Sequence, residues 1–297
     1  MDAAAVAARI ADTGFTVIPD FLTGVELDRA TAALDNYFPD PDASNNSSLD
    51  VASLKHAVPF PLSDNVLNQV PIDPRVLEVA SHLLGTHDLR LTSAFTQAKY
   101  GTDFGETHDQ SLHNDAWSVN SLVPPRVDGP YQRFFGILYL TDVTEETAPT
   151  YVVGRAAAVN APLMTASGKA AYDRSEFESL YKMERPVLAS RGSLLLFVGD
   201  IVHRGSAYAA ARGRRLAFFF NLHSPAAGWT DKHIWSSRPA APNWEILATL
   251  LAQASPEQRS VLGFPSPDDP YWTEDTVCRV KELYPGMDVG PYERISR

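Results

Sequence analysis

Between residues 88 and 223 the chain carries five runs rich in β-branched and aromatic residues: "LRLTSAFTQAKY", "RFFGILYLTDV", "TYVVGR", "GSLLLFVGDIVH" and "RRLAFFFNLH". Turn-forming residues separate them. Short apolar runs of this kind fit the strands of a jelly roll or a related barrel. Helical patterns come first and strands after, which argues for an α+β chain with a β-rich core over alternating βαβ units.

The flanks read differently. Residues 3–12 predict a short Ala-rich helix that stops at Gly14, and "FTVIPDFL" predicts a strand. Thr23 and Glu26 have the spacing of a capping box, opening a helix whose apolar stripe is Leu27, Ala30, Leu34 and Phe38. "PDPDASNNSS" is a surface loop by its turn formers. Asp73 and Pro74 start a further helix that Gly85 ends. Beyond residue 225 the pattern is helical and loop-rich, with many aromatics and prolines. We expect one domain over 1–297: a β core at about 88–223, and a C-terminal extension at about 225–297 that wraps over it.

Composition narrows the function classes. The 297 residues are 44% hydrophobic and 10% aromatic, enough for a sizeable core. A net charge of −11 argues against nucleic acid or an anionic membrane as the main partner. Cys278 is the single cysteine, so neither an internal disulfide nor a thiolate metal cluster is expected. No apolar run approaches the length of a membrane span, and "MDAAAVAARIADTGF" lacks the layout of a secretion signal. A cytoplasmic setting is the expectation, with oligomeric state left open.

"LHNDAW" holds the first candidate chemistry. Side chains two apart on an extended strand share a face, so His113 and Asp115 present an imidazole and a carboxylate together while Asn114 turns away. Two ligands hold a divalent ion poorly. His203, at the end of the apolar strand in "GDIVHRGS", is the candidate third. Two histidines and a carboxylate on one octahedral face suit Fe(II) that must also bind a cosubstrate and O2. The competing reading is that His-x-Asp arises by chance and His203 is a hydrogen-bonded strand-end residue.

Arg214 bears on that choice. In "RRLAFFFNLH", Arg214, Leu216, Phe218 and Phe220 share one face, and Arg215, Ala217, Phe219 and Asn221 the other. The first face is the more apolar, so Arg214 is expected to point into the barrel and Arg215 outward. A guanidinium among Leu and Phe needs a partner, and a planar carboxylate suits it best. A dicarboxylic cosubstrate would supply one; an internal ion pair with Asp200 or Asp142 is the alternative.

Taken in order, "LHNDAW", the β-rich middle, "GSLLLFVGDIVHRGS" and Arg214 beyond the distal histidine resemble the phytanoyl-CoA dioxygenase family. The opening "TGFTVIPDFLTGVELDRATAAL" and "LYLTDVTEETAPTYVV" are similar to that family too, giving coverage of roughly residues 12–223. The resemblance implies a double-stranded β-helix and Fe(II)- and 2-oxoglutarate-dependent oxygenase activity. It implies His113, Asp115 and His203 as iron ligands, Arg214 as the partner of the distal carboxylate of 2-oxoglutarate, and Gln97 near a position that touches the cosubstrate. Two features depart from the pattern. "VVGRAA" stands where Pro-Gly-Ser-His is usual, and the hydroxyl residue after the distal histidine, Ser206, falls one place late.

The implied reaction couples decarboxylation of 2-oxoglutarate, giving succinate and CO2, to oxidation of a small molecule. Halogenases of this architecture replace the carboxylate ligand with a small residue, so Asp115 favours hydroxylation, or a related desaturation or ring closure. Trp117, Asn120 and Arg126, or Trp229, Trp235 and Tyr271, are candidates to wall the substrate pocket, with packing or solvated loop as their plainer role. A small metabolite or natural-product intermediate is the expected substrate. Two rivals stand beside this reading: a non-catalytic barrel that binds a dicarboxylate, and a cupin-like metalloenzyme without 2-oxoglutarate.

Overall fold

The structure is a computed structural model. It describes residues 1–43, 49–54, 57–105, 107–116, 131–163, 165, 170–225, 244–269 and 272–293. Trp117, Asn120, Arg126, Trp229, Trp235 and Tyr271 all lie outside the described residues.

Two helices and a strand open the chain: α1 (Ala3–Thr13), β1 (Phe15–Ile18) and α2 (Gly24–Leu34). α1 is capped by the Asp2 side chain, which accepts from Ala5 N, and ends at left-handed Gly14. The α2 stripe is buried as its period predicts, with Leu27, Ala30, Leu34 and Phe38 all inside. Its capping box does not form. Thr23 makes no side-chain cap bond, and Gly24, the first helical residue, has φ +57, which turns the entering backbone away from the geometry a box needs. β2 (Val58–Pro59), α3 (Asn65–Gln69) and α4 (Pro74–Leu84) follow, and α4 runs from an Asp73 cap to left-handed Gly85.

The strands come next: β3 (Arg90–Tyr100), β4 (Leu112–His113), β5 (Arg133–Tyr139), β6 (Thr150–Val153) and β7 (Ala171–Tyr172). After α5 (Glu178–Met183) come β8 (Arg185–Val187), β9 (Leu194–Val198), β10 (Val202–Gly205) and β11 (Arg214–His223). They form two antiparallel sheets, in the orders β1-β9-β5-β11-β3-β2 and β7-β4-β10-β6-β8. The architecture is the mixed helix-and-sheet arrangement expected, with a jelly-roll pair of sheets.

Helices α6 (Trp244–Gln253), α7 (Pro256–Val261) and α8 (Glu274–Leu283) make up the tail. Leu247, Leu250, Leu251, Val261, Trp272 and Tyr292 join one hydrophobic cluster with α1, α2 and α4. That cluster also takes in Leu216, Phe218, Phe220 and Leu222 of β11, with Leu138 of β5 and Leu196 of β9. The main core therefore lies on the outer face of the larger sheet, under the helices. A smaller cluster, including Phe135, Ile137, Leu195, Phe197 and Ala217, occupies the inner face. Among the described residues no helix is long and apolar enough to cross a membrane.

Candidate metal centre

β4 and β10 are paired with His113 directly opposite His203, so the two imidazoles are neighbours by register. Their rings lie 4.5 Å apart. Asp115 falls just past the end of β4, where its N–H donates to Gly199 O at 2.7 Å and fixes the turn. Its carboxylate sits 3.5 Å from His203 Nε2 and 4.0 Å from His113 Nε2. Ligand atoms of the three residues all lie within 4.8 Å of one another. Asn114 points away, as the strand alternation predicts. It is buried and donates to Leu163 O and the Tyr172 hydroxyl, anchoring the motif from behind.

Both imidazoles are oriented from behind. His113 Nδ1 is 2.8 Å from Ser111 O, and His203 Nδ1 is 3.1 Å from Ile201 O. A carbonyl only accepts, so each Nδ1 carries the proton and each Nε2 lone pair faces Asp115. Burial, reinforced by neighbouring His113, pushes the His203 pKa down to about 4, so it is a neutral ligand at ordinary pH. One carboxylate and two preset imidazole nitrogens, with the remaining side open to a cavity, are a donor set that fits a divalent first-row metal.

That cavity has a volume of about 340 Å³ and is lined by the inward residues of β3, β5, β9 and β11. The register arranges them in cross-strand rows. Lys99 pairs with Arg215, Gln97 with Ala217, Phe95 with Phe219, and Ser93 with Asn221. On the other side of β11, Asn221 pairs with Phe135 and His223 with Arg133. Phe135 in turn pairs with Phe197. The Phe95–Phe219 row is apolar, its rings stacked at 5.0 Å, and Phe135 stacks on Phe197 at 5.2 Å in the row of Asn221 and Ser93.

Here the expected orientation of Arg214 is corrected. Arg214 does not enter the barrel. It donates to Asp35 Oδ1 at 2.5 Å and to Phe38 O, tying the end of α2 to the start of β11. Arg215 faces inward instead. It is 3% exposed, donates to Ala148 O, and leaves Nε without a hydrogen-bond partner among the described residues. The inference failed on one premise, that the more apolar face of β11 lines the barrel. That face packs against the helices, and the polar face lines the cavity. The ion pairs foreseen for Arg214 are also absent: Asp200 pairs with Arg155, and Asp142 accepts from Arg191 N.

Gln97 does line the cavity, one row from Arg215. Lys99, Arg133, Ser93 and Asn221 line it too and were not foreseen; counting β3 and β11 with their polar faces inward would have found all but Arg133. Ser206 is buried and donates to Pro149 O at 2.7 Å. In "VVGRAA", Arg155 makes a bidentate pair with Asp200 at 2.7 and 3.1 Å, so the unusual segment is held by its own ion pair.

Over residues 10–216 the sequence matches the model of the family described as phytanoyl-CoA dioxygenase (PhyH). The chain belongs to the phytanoyl-CoA dioxygenase family. Solved structures agree on the fold of this family member. A crystal structure of EctD from S. alaskensis in its apoform superposes with a TM-score of 0.59 at 17% identity, covering 79% of this chain and 84% of that one. The epimerase SnoN in complex with Fe3+, alpha ketoglutarate and nogalamycin RO gives 0.55 at 15% identity, covering 75% and 83%. HygX from Streptomyces hygroscopicus with nickel and 2-oxoglutarate bound gives 0.51 at 17%, covering 73% and 84%. No curated protein sequence matches the chain.

Proposed function

We propose that this family member is an Fe(II)- and 2-oxoglutarate-dependent oxygenase that hydroxylates a small molecule, a metabolite or natural-product intermediate. The observation that carries the reading is the placement of a buried Arg215, without a carboxylate partner among the described residues, in the same cavity as the His113, Asp115 and His203 cluster. Solved structures of the same fold include one with nickel and 2-oxoglutarate bound, which supports that cosubstrate here.

His113, Asp115 and His203 would hold the metal. When bound, it supplies activation of O2 coupled to decarboxylation of 2-oxoglutarate. The chain's own residues do the rest. The two backbone carbonyls behind the imidazoles hold Nε2 of each on the metal side. Arg215 receives the distal carboxylate of the cosubstrate, and the Lys99 ammonium in the same row adds a second positive charge. Gln97 sits between that row and the metal ligands. Phe95, Phe219, Phe135 and Phe197 wall the cavity with apolar surface and exclude water, so the oxidising equivalents of O2 are spent on the substrate. Asp115 fills the position that a halide would need, which favours hydroxylation.

The test is spectroscopic. Fe(II) and 2-oxoglutarate are added to metal-free protein without oxygen, and the visible metal-to-ligand charge-transfer band is recorded. The expected result is a band in wild type that is lost in His203→Ala, and that needs far more 2-oxoglutarate in Arg215→Gln. A band unchanged in Arg215→Gln sinks the role given to Arg215, and no band in wild type favours a cupin-like metalloenzyme without 2-oxoglutarate. A band without succinate release in air, whatever small molecules are added, favours a binding module.

A further inference from the structure

The turn from β9 into β10 serves two metal ligands at once. It consists of Gly199, Asp200 and Ile201, closed by Ile201 N donating to Val198 O at 3.2 Å. Its first carbonyl, Gly199 O, accepts from Asp115 N at 2.7 Å. Its third, Ile201 O, accepts from His203 Nδ1 at 3.1 Å. A Cβ on Gly199 would come 3.1 Å from Ala116 N and 3.3 Å from Asp115 C, so the turn is packed backbone on backbone against the segment that carries Asp115. A shift of the turn would carry both ligands with it.

Between those two carbonyls stands Asp200. Its carboxylate accepts from Nη1 of Arg155 at 2.7 Å and from Nη2 at 3.1 Å. The same guanidinium lies over the Tyr131 ring, 5.4 Å from its centre. Arg155 is anchored in turn through its backbone, which donates to O of Thr13, the last residue of α1, at 3.2 Å. Val198 N donates to Gly14 O at 3.2 Å, and a Cβ on Gly14 would strike the Ile201 side chain. The end of α1, the segment after β6 and the turn are thus one connected body behind Asp115 and His203. With side chains 32% and 30% exposed, the ion pair contributes little to stability by charge alone. A bidentate fork against a ring does fix direction, and a lysine could not reproduce it.

We propose that Arg155 and Asp200 are positioning residues of the metal centre. Their ion pair holds the turn so that Gly199 O and Ile201 O set Asp115 and the His203 imidazole for the metal. The proposal rests on the metal-centre reading and deepens it, giving a role to "VVGRAA", the segment that departs from the family pattern. Neither residue lines the cavity, so both act through the turn and not on a ligand directly.

The experiment uses the full chain in metal-free form. Zn(II) affinity is measured in competition with a chromophoric chelator, and the visible absorption of the Co(II) protein reports the coordination geometry. Arg155→Gln and Asp200→Asn should each weaken Zn(II) binding about tenfold, as changes behind metal ligands do, and alter the Co(II) spectrum. The double variant should lose no more than either single one, because all three remove the same contact. Arg155→Lys should recover only part of the affinity. Arg214→Gln is the control for a purely structural effect: it breaks the bonds to Asp35 and Phe38 O, and should lower the melting temperature while leaving Zn(II) affinity and the Co(II) spectrum as in wild type. Wild-type affinity and spectrum in both single variants overturn the proposal, and so does an equal loss in Arg214→Gln. Should neither single variant fold, Arg155→Lys decides by the same two readouts, and wild-type values there overturn it. Zn(II) binding that is missing in wild type, or that survives His203→Ala, would instead overturn the metal-centre reading itself.

Discussion

The Lys99 ammonium lies partly buried beside Arg215, and desolvation with the neighbouring guanidinium holds its pKa down to about 8. It is charged below that pH and neutral above. A bound carboxylate favours the charged form, so binding of 2-oxoglutarate should be strongest below about pH 8 and weaken as the pH rises through it. Titration of 2-oxoglutarate from about pH 6 to about pH 10 should show affinity falling about tenfold, the worth of one exposed-to-partly-buried ionic contact. Lys99→Met should flatten the profile at the weaker value. Arg215→Gln should cost more, about 10- to 100-fold in 2-oxoglutarate affinity, in keeping with ~1.5–3 kcal/mol for a charged hydrogen bond. Arg214→Gln should leave that affinity alone and lower the melting temperature, because its partners are Asp35 and Phe38 O. The clustering of His113, Asp115 and His203 was legible because the i, i+2 rule and the apolar run before His203 are local facts. The choice between Arg214 and Arg215 was not, since hydrophobicity ranks two faces without saying which of two layers each one meets.

Strand and helix boundaries were legible for a similar reason. Gly14 and Gly85 end their helices in the left-handed conformation that their position predicts. The α2 capping box failed because a motif fixes side-chain types and not the φ of the residue between them. Turn geometry also supports the site at a distance. Gly192, just ahead of β9, has φ +85, donates to Tyr139 O and accepts from Leu22 N. A Cβ there would meet Leu22 O at 2.1 Å, a backbone atom that cannot swing aside. Gly192→Ala should therefore destabilise by about 2–4 kcal/mol, combining left-handed strain with overpacking. Thermal melting reads this directly; an unchanged melting temperature would mean that β1 and β9 can separate without loss.

For the whole molecule, metal binding is linked to folding. A ligand that binds only the native state at 100 times its Kd adds about 2.7 kcal/mol. Fe(II) or a redox-silent substitute such as Zn(II) should raise the melting temperature by several degrees at that saturation, and His203→Ala should remove the rise. The rise should grow when 2-oxoglutarate is added, and not in Arg215→Gln. A shift that survives His203→Ala would place the metal elsewhere.

The position of the main core has a consequence for change over time. Most of the apolar packing that holds the sheets lies on their outer side, against the helices, and the interior wall near Arg133 and Asn221 carries little of it. Replacing inner residues alters what is bound without dismantling what is stable. Such a vessel can be refitted for new cargo by drift or by design, one lining residue at a time, while the same few coordinating and anchoring side chains stay where they are.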